Sequence, residues 1–173
     1  MLPMIDAIRL GSELRRAISG EIRFTDGDRA LYATDASNYR HVPIGVVVPR
    51  SAQDIIETVY ICRAHEAPIL MRGAGTSLAG QACNVAVVLD TSKYFNRVLH
   101  LDVSNRVAHV EPGIVRDELN RAVESEGLAF APDPSTHDRC TIGGMIGNNS
   151  CGAHSLKHGK TAENIASIEV LTC

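Results

Sequence analysis

The chain has 173 residues, 45% of them apolar, which is enough for a real hydrophobic core and fits a single domain. The formal net charge is −3 with no basic block and only 4% of residues are aromatic, which argues against binding to duplex or single-stranded nucleic acid. No apolar run approaches a membrane span, and Asp6 and Arg9 interrupt the stretch an export signal would need, so the expected location is the cytoplasm, or a membrane surface reached through a partner.

In chain order, Ile5, Ile8, Leu14, Ala17 and Ile18 predict an amphipathic helix ending at Gly20, and residues 24–28 read as a turn leading into a polar stretch up to Tyr39. Residues 45–48 read as a short buried strand. Ser51 and Asp54 resemble a capping box opening a helix whose buried stripe is Ala52, Ile55, Ile56 and Val59. Residues 68–71 are the next strand, which completes a strand–helix–strand unit expected to be parallel and right-handed. A glycine-rich loop and a strand at 85–89 follow. Strands at 98–101 and 106–111 flank a hairpin turn at 102–105, and Ile114, Val115, Leu119, Ala122 and Val123 line a helix stopped near Gly127. A last strand is predicted at 165–171. This order implies a mixed α/β fold of two small subdomains, a parallel βαβ unit followed by a largely antiparallel sheet, with a ligand held in the crevice between them. The expected boundaries are a helical lead-in at 1–42, a first subdomain at 43–90 and a second at 91–173.

The stretch Met71-Arg-Gly-Ala-Gly-Thr-Ser-Leu-Ala-Gly80 has the small side chains and glycines that let backbone approach a phosphate closely. It is not a dinucleotide fingerprint, because Leu78 stands where a third glycine would fall and no helix pattern follows. It is not a Walker loop either, because Gln81 and Ala82 stand where lysine and a hydroxyl residue are required. What remains is a neutral cradle of N–H donors suited to a pyrophosphate inside a cofactor, or a plain strand-to-strand turn.

A second glycine block, Thr141-Ile-Gly-Gly-Met-Ile-Gly-Asn-Asn-Ser-Cys-Gly152, shifts the balance towards a ligand. Backbone at Gly143 and Gly144 could lie flat against a planar ring. The prolines of Ala131-Pro-Asp-Pro-Ser135 hold the preceding backbone extended, as a wall for such a ring.

Together, the R-G-x-G-T-S-L-x-G loop, the P-D-P-S segment and the T-I-G-G-M-I-G-N-N-S-C-G block resemble the FAD-binding domain of the vanillyl-alcohol oxidase / p-cresol methylhydroxylase superfamily. The narrower resemblance is to the branch of D-lactate, glycolate and D-2-hydroxyglutarate dehydrogenases, and it covers residues from about 43 to 173. It implies that FAD is the cofactor, with Gly73, Ala74, Gly75, Thr76 and Ser77 on its pyrophosphate and Arg72 flanking them. It further implies that Pro132, Asp133, Thr141, Gly143, Gly144, Asn148, Ser150 and Gly152 line the route to the flavin, and that Ile168 touches the adenine end. Thr76 stands where relatives with histidyl-linked flavin carry histidine, so FAD is expected to be non-covalent. Lys157-His158-Gly159 departs from the tyrosine–glycine pair of many members and leaves the role of His158 open.

The reaction implied is oxidation of a small 2-hydroxy acid by transfer to flavin N5, with electrons passing to a quinone, an iron–sulfur module or another acceptor. No catalytic residue is expected within this chain, because the branch's base and carboxylate-binding groups come from later regions. The chain reads as a leading piece without a substrate domain, inactive alone. Two alternatives remain: a reductase on the same scaffold, resembling the enolpyruvyl-sugar reductase of cell-wall synthesis, or a non-catalytic nucleotide-binding module.

Five widely spaced cysteines, Cys62, Cys83, Cys140, Cys151 and Cys173, read as reduced thiols. Cys140, Cys151, His154 and His158 superficially resemble zinc-ligand spacing, but the preferred reading is two small buried cysteines beside the flavin site and no metal. His100 and His109 read as sheet residues. Arg139, in the His137-Asp138-Arg139 loop, could meet a substrate carboxylate or simply face solvent.

Overall fold

The computed structural model describes residues 5–172; Met1 to Met4 and Cys173 lie outside the described residues. The chain divides into two compact units, Met1–Tyr94 with Leu171–Cys173, and Phe95–Val170.

The first unit is built on a four-stranded sheet. Helix α1 (Ala7–Ala17) is capped by Asp6, whose carboxylate accepts the N–H groups of Ile8 and Arg9. Its buried face is Leu10, Gly11 and Leu14, while Ile8 is 86% exposed. Leu10 and Leu14 are the residues that pack in the core, which turns Ile8, two positions from Leu10, to the opposite face, and the helix stops at Ala17 rather than Gly20 because Ile18 is already extended. Strand β1 (Glu21–Arg23) was not legible in the sequence. The stretch expected as a turn is the start of α2 (Asp26–Leu31), because the Thr25 hydroxyl accepts the N–H of Asp28 and nucleates a helix there.

Strand β2 (Gly45–Val48) and helix α3 (Ala52–Ala64) follow. The α3 face differs from the one expected. Asp54, Thr58, Ile61 and Cys62 are buried and Ile56 is 44% exposed. The reason is the Asp54 carboxylate. It accepts the N–H groups of Ser19 at 3.0 Å and Arg50 at 2.8 Å, which draws it inward and turns the i+4, i+7 and i+8 positions in with it. Only half of the expected capping box is present: Ser51 accepts the Asp54 N–H, while the Asp54 carboxylate reaches Arg50 and Ser19.

Strands β3 (Ile69–Arg72) and β4 (Val87–Asp90) complete the sheet, in the order β1-β2-β4-β3. The β2–α3–β3 unit is parallel as expected, but its two strands are not neighbours, because β4 pairs in parallel with both. All four residues of β4 are buried, and a strand with apolar side chains on both faces takes the centre of a sheet. One face of the sheet packs Val47, Val87 and Leu89 against Leu10, Leu14, Ile61 and Cys62; the other carries Val46, Val48 and Val88 with Tyr32, Leu70 and Tyr94.

In the second unit, β5 (Val98–Asp102) and β6 (Val107–Val110) form an antiparallel hairpin. The Asp102 carboxylate ties its turn by accepting from the Ser104 hydroxyl and the Asn105 N–H. Helix α4 (Arg116–Val123) runs into a short 3-10 turn, Glu124–Glu126, and ends at Gly127 with φ of 68°, the left-handed terminator the sequence announced. The core is Ile114, Leu119, Val123, Cys140, Ile142 and Met145. The second glycine block, read from sequence as flat backbone for a ring, takes a definite secondary structure. It forms helix α5 (Ile142–Asn148), capped by the Thr141 hydroxyl and closed at Asn149 with φ of 47°. A single turn, α6 (Ser155–His158), and a 3-10 turn, Thr161–Asn164, follow. The strand expected at 165–171 is absent. Those residues pair with no strand among the described residues, and β propensity alone does not make a strand without a partner. Mixed helix, parallel sheet and antiparallel hairpin thus agree with the α/β class expected.

Candidate functional site

The glycine-rich loop leaves the sheet at the C-terminal end of β3 and returns at β4, the end of a parallel sheet where ligands commonly bind. Among the described residues, the backbone N–H groups of Gly73, Ala74, Gly75, Thr76, Ser77 and Leu78 donate to no other group of the chain. Gly75 has φ of 68° between neighbours with negative φ, an alternation that forms anion-accepting concavities of successive N–H groups. A side chain at Gly75 would also meet the Arg72 guanidinium, whose Nη2 lies 2.5 Å from an ideal Cβ position.

Arg72 does not reach outward as a free cation. Its guanidinium donates to the carbonyls of Ala82 at 2.6 Å and Thr34 at 2.9 Å and lies over the Tyr32 ring, 5.4 Å from its centre. Tyr32 is itself fixed by its hydroxyl, which donates to Asp90 at 2.7 Å; burial, the Asp90 hydrogen bond and its charge push the phenol up to about 12.

Residues 34–40 cross this loop as a strap that sequence reading missed. Its base is closed by the Thr34/Arg40 bridge and by the His41 N–H on the Ala33 carbonyl at 2.8 Å. The Ala36 N–H donates to the Gly75 carbonyl at 3.0 Å, and the Asp35 carboxylate accepts the Ala82 N–H at 3.1 Å. Burial acts to raise the Asp35 pKa, but donation from Ser37 and Ala82 and the charge of Arg72 outweigh it and hold the carboxyl ionised below its ordinary range. The available signal was Asp35-x-Ser37, an Asx-turn pattern inside what read as a polar stretch.

In the second unit, the glycines of the block have different physical reasons. A side chain at Gly143 would meet Pro112, whose Cβ lies 2.7 Å from the ideal position, and at Gly152 it would meet the Asp133 carbonyl oxygen at 2.0 Å. Gly147 has open space around it, and at Gly144 only the Thr141 hydroxyl oxygen is near, at 3.1 Å. Of the two glycines expected to lie flat against a ring, Gly143 is packed on Pro112 and Gly144 faces the Thr141 hydroxyl, while Gly147, for which no such role was expected, has open space. The N–H groups of Gly143 and Gly144 are already paired, to the Pro112 carbonyl and the Thr141 hydroxyl. Pro132 is buried and its carbonyl accepts from Arg116 at 3.1 Å. Asp133 accepts the backbone N–H and the ring Nδ1 of His154, and that hydrogen bond, with the imidazole's charge, holds its carboxyl low. Asn148 meets Ser150 at 3.4 Å, and the Ser150 carbonyl accepts the Thr161 hydroxyl at 2.7 Å. Ile168 is 57% exposed, outside any strand.

The two cysteines expected together separate: Cys140 is buried in the core and Cys151 is exposed, because Cys151 follows the end of α5 rather than facing its packed side. Among the described residues, no group of three or more His, Cys, Asp or Glu could hold a metal ion, and His154 is engaged by Asp133. His100 and His109 are exposed cross-strand neighbours on the hairpin, and Arg139 is exposed beside Asp138 at 3.5 Å. No helix among the described residues is long and apolar enough to cross a membrane.

Comparison with known proteins identifies relatives of this chain. The chain is 39% identical over 159 residues to the glycolate oxidase subunit GlcD of Bacillus subtilis, covering 89% of this chain and 34% of that protein. It is 34% identical over 155 residues to the D-2-hydroxyglutarate dehydrogenase of Haemophilus influenzae, covering 88% of this chain and 15% of that protein. Among solved structures, an alkyldihydroxyacetonephosphate synthase superposes with a TM-score of 0.80 at 20% identity, over 90% of this chain and 34% of that one, which shows a shared fold. The chain thus spans about a third or less of the length of these relatives. The FAD binding domain family matches residues 43–173, which takes in both glycine blocks, and the chain belongs to that family.

Proposed function

We propose that this chain is the FAD-binding portion of a flavin-linked oxidoreductase that oxidises a small 2-hydroxy acid of the D-lactate, glycolate or D-2-hydroxyglutarate type. The observation that carries the reading is the run of unpaired N–H groups from Gly73 to Leu78 around a left-handed Gly75. A pyrophosphate presents acceptors without needing a cation supplied by the loop, which fits a loop whose Arg72 is committed to carbonyls. The names of the glycolate oxidase and D-2-hydroxyglutarate dehydrogenase relatives support the substrate class.

In this reading Gly73, Ala74, Gly75, Thr76 and Ser77 hold the pyrophosphate through backbone, and Arg72 shapes the loop beside them. Pro132, Asp133, Thr141, Gly143, Gly144, Asn148, Ser150 and Gly152 of the second unit contribute to the flavin side, and Ile168 to the adenine end. Thr76 offers no imidazole for a covalent link, so the cofactor is held non-covalently. When bound, FAD supplies the hydride-accepting chemistry, and this chain binds and orients it. The hydroxy acid, the base that acts on it and the acceptor, a quinone or an iron–sulfur module, belong to the longer protein, which we place in the cytoplasm or at a membrane through a partner.

The test is a titration of the purified chain with FAD, read by flavin absorbance and fluorescence quenching, beside a Gly75→Val variant. Saturable binding that is lost in the variant supports the reading. A wild-type chain that takes up adenine nucleotides but no flavin would replace it with the nucleotide-module alternative.

A further inference from the structure

Six consecutive N–H groups without an intrachain acceptor are useful to an anion only if the loop carrying them is held open. A free glycine-rich loop would collapse onto its own carbonyls or sample many shapes, and binding would then have to order it. The strand ends alone do not hold this one, since fourteen residues separate β3 from β4 and the loop between them has no helix or strand of its own.

Besides the Arg72–Ala82 bond at its neck, what fixes it comes from residues 32–39, upstream of the stretch at 43–173 that the FAD binding domain family matches. Contacts are made at four points along the loop. Thr34 and Tyr32 present carbonyls to the Arg72 guanidinium at the start of the loop, at 2.9 and 3.4 Å. Ala36 donates its N–H to the Gly75 carbonyl at 3.0 Å, in the middle of the N–H run. Asp35 accepts the Ala82 N–H at 3.1 Å near the end of the loop. Tyr39 lies against Gly80, where a side chain would come within 2.7 Å of its ring. The Gly75 contact is specific in its effect: by holding the carbonyl of Gly75, Ala36 keeps that oxygen from turning in towards the neighbouring N–H groups.

We infer that the strap at residues 34–39 is the positioning element of the phosphate loop, with Asp35 and Ala36 setting cofactor affinity without touching the cofactor. This rests on the FAD-binding reading above. Asp35 divides its oxygens, Oδ1 taking the Ser37 N–H and hydroxyl and Oδ2 taking the Ala82 N–H. In Asp35→Asn one oxygen becomes an NH2 donor. One of the two backbone N–H groups must then face a donor, so the strap loses either its own turn or its hold on Ala82.

The experiment is backbone amide hydrogen exchange and 15N relaxation on the full 173-residue chain without cofactor, followed by FAD titration, for wild type, Asp35→Asn and Asp35→Ala. The expected result in the variants is faster exchange and larger amplitude motion confined to residues 73–82. Amides of β2 and β4 stay as protected as in wild type, and FAD binds at least about ten-fold more weakly. Unchanged loop dynamics in both variants would overturn the inference, as would a mobile loop with unchanged FAD affinity. Failure of the wild-type chain to bind FAD sinks the functional reading instead, while the exchange data still judge the strap. If the variants do not fold, wild type alone decides: the Ala36 and Ala82 amides should exchange markedly more slowly than those of 73–78, and equal rates would refute the strap.

Discussion

The guanidinium of Arg72 donates to the carbonyl of Ala82 at 2.6 Å and so closes the neck of the loop between two parallel strands, with Ala82 tied on its other side to Asp35. One charged fork thus satisfies carbonyls that would otherwise be left half-buried at a chain crossing.

Arg72→Met removes these bonds while keeping most of the stem's packing. We expect a loss of about 2 kcal/mol in urea unfolding, the scale of hydrogen bonds to a charged donor, together with weaker FAD binding. Arg72→Lys should recover only part of it, because a single ammonium cannot span the Ala82 and Thr34 carbonyls as a planar fork does. Equal stability of lysine and wild type would show that charge alone suffices.

Gly152 is pressed against Asp133, with 2.0 Å from an ideal Cβ to the Asp133 carbonyl oxygen. Gly152→Ala must push that backbone aside, and we expect a cost of about 1 to 3 kcal/mol. The same shift should part Asp133 from His154, so the His154 ring resonances should move in an NMR spectrum. A variant with wild-type stability and an unshifted His154 would contradict the packing described.

Glu21 accepts hydrogen bonds from Lys93, Tyr94 and Arg23, and these draw its carboxyl from an ordinary 4.5 down to about 2. A carboxyl whose folded-state pKa lies below the unfolded one contributes stability that is fully present above about 4.5 and is lost as pH falls towards 2. Glu21→Gln should therefore be less stable than wild type at pH 6, with the gap narrowing as the pH is lowered through 4 and 3. Denaturant midpoints across this range measure it, and a gap independent of pH would remove Glu21 from the account.

Burial pushes the Cys62 thiol up to about 12, and Cys83 and Cys140 are also buried with raised values, whereas Cys151 is exposed. A thiol-specific reagent at pH 8 should label Cys151 rapidly and the three buried cysteines only after denaturant is added, as peptide mapping will show. Prompt labelling of Cys62 in the native chain would mean that α3 opens.

The sequence by itself determined the local signals. It carried β2 at Gly45–Val48, the Gly127 helix stop, the hairpin turn after Asp102 and the two glycine blocks with the family they indicate, because each is written in neighbouring residues whose chemistry has few outcomes. The tertiary structure decided what depends on partners distant in sequence. Asp54 turned α3 onto a different face because Ser19, thirty-five residues away, donates to it. β4 entered between β2 and β3 because its side chains needed cover on both faces, and residues 165–171 stayed outside any strand for want of a pairing edge. The strap at Asp35 and Ala36 was illegible for the same reason: its meaning lies in contacts to Gly75 and Ala82, and no periodicity within residues 34–39 encodes where a loop forty residues downstream will pass.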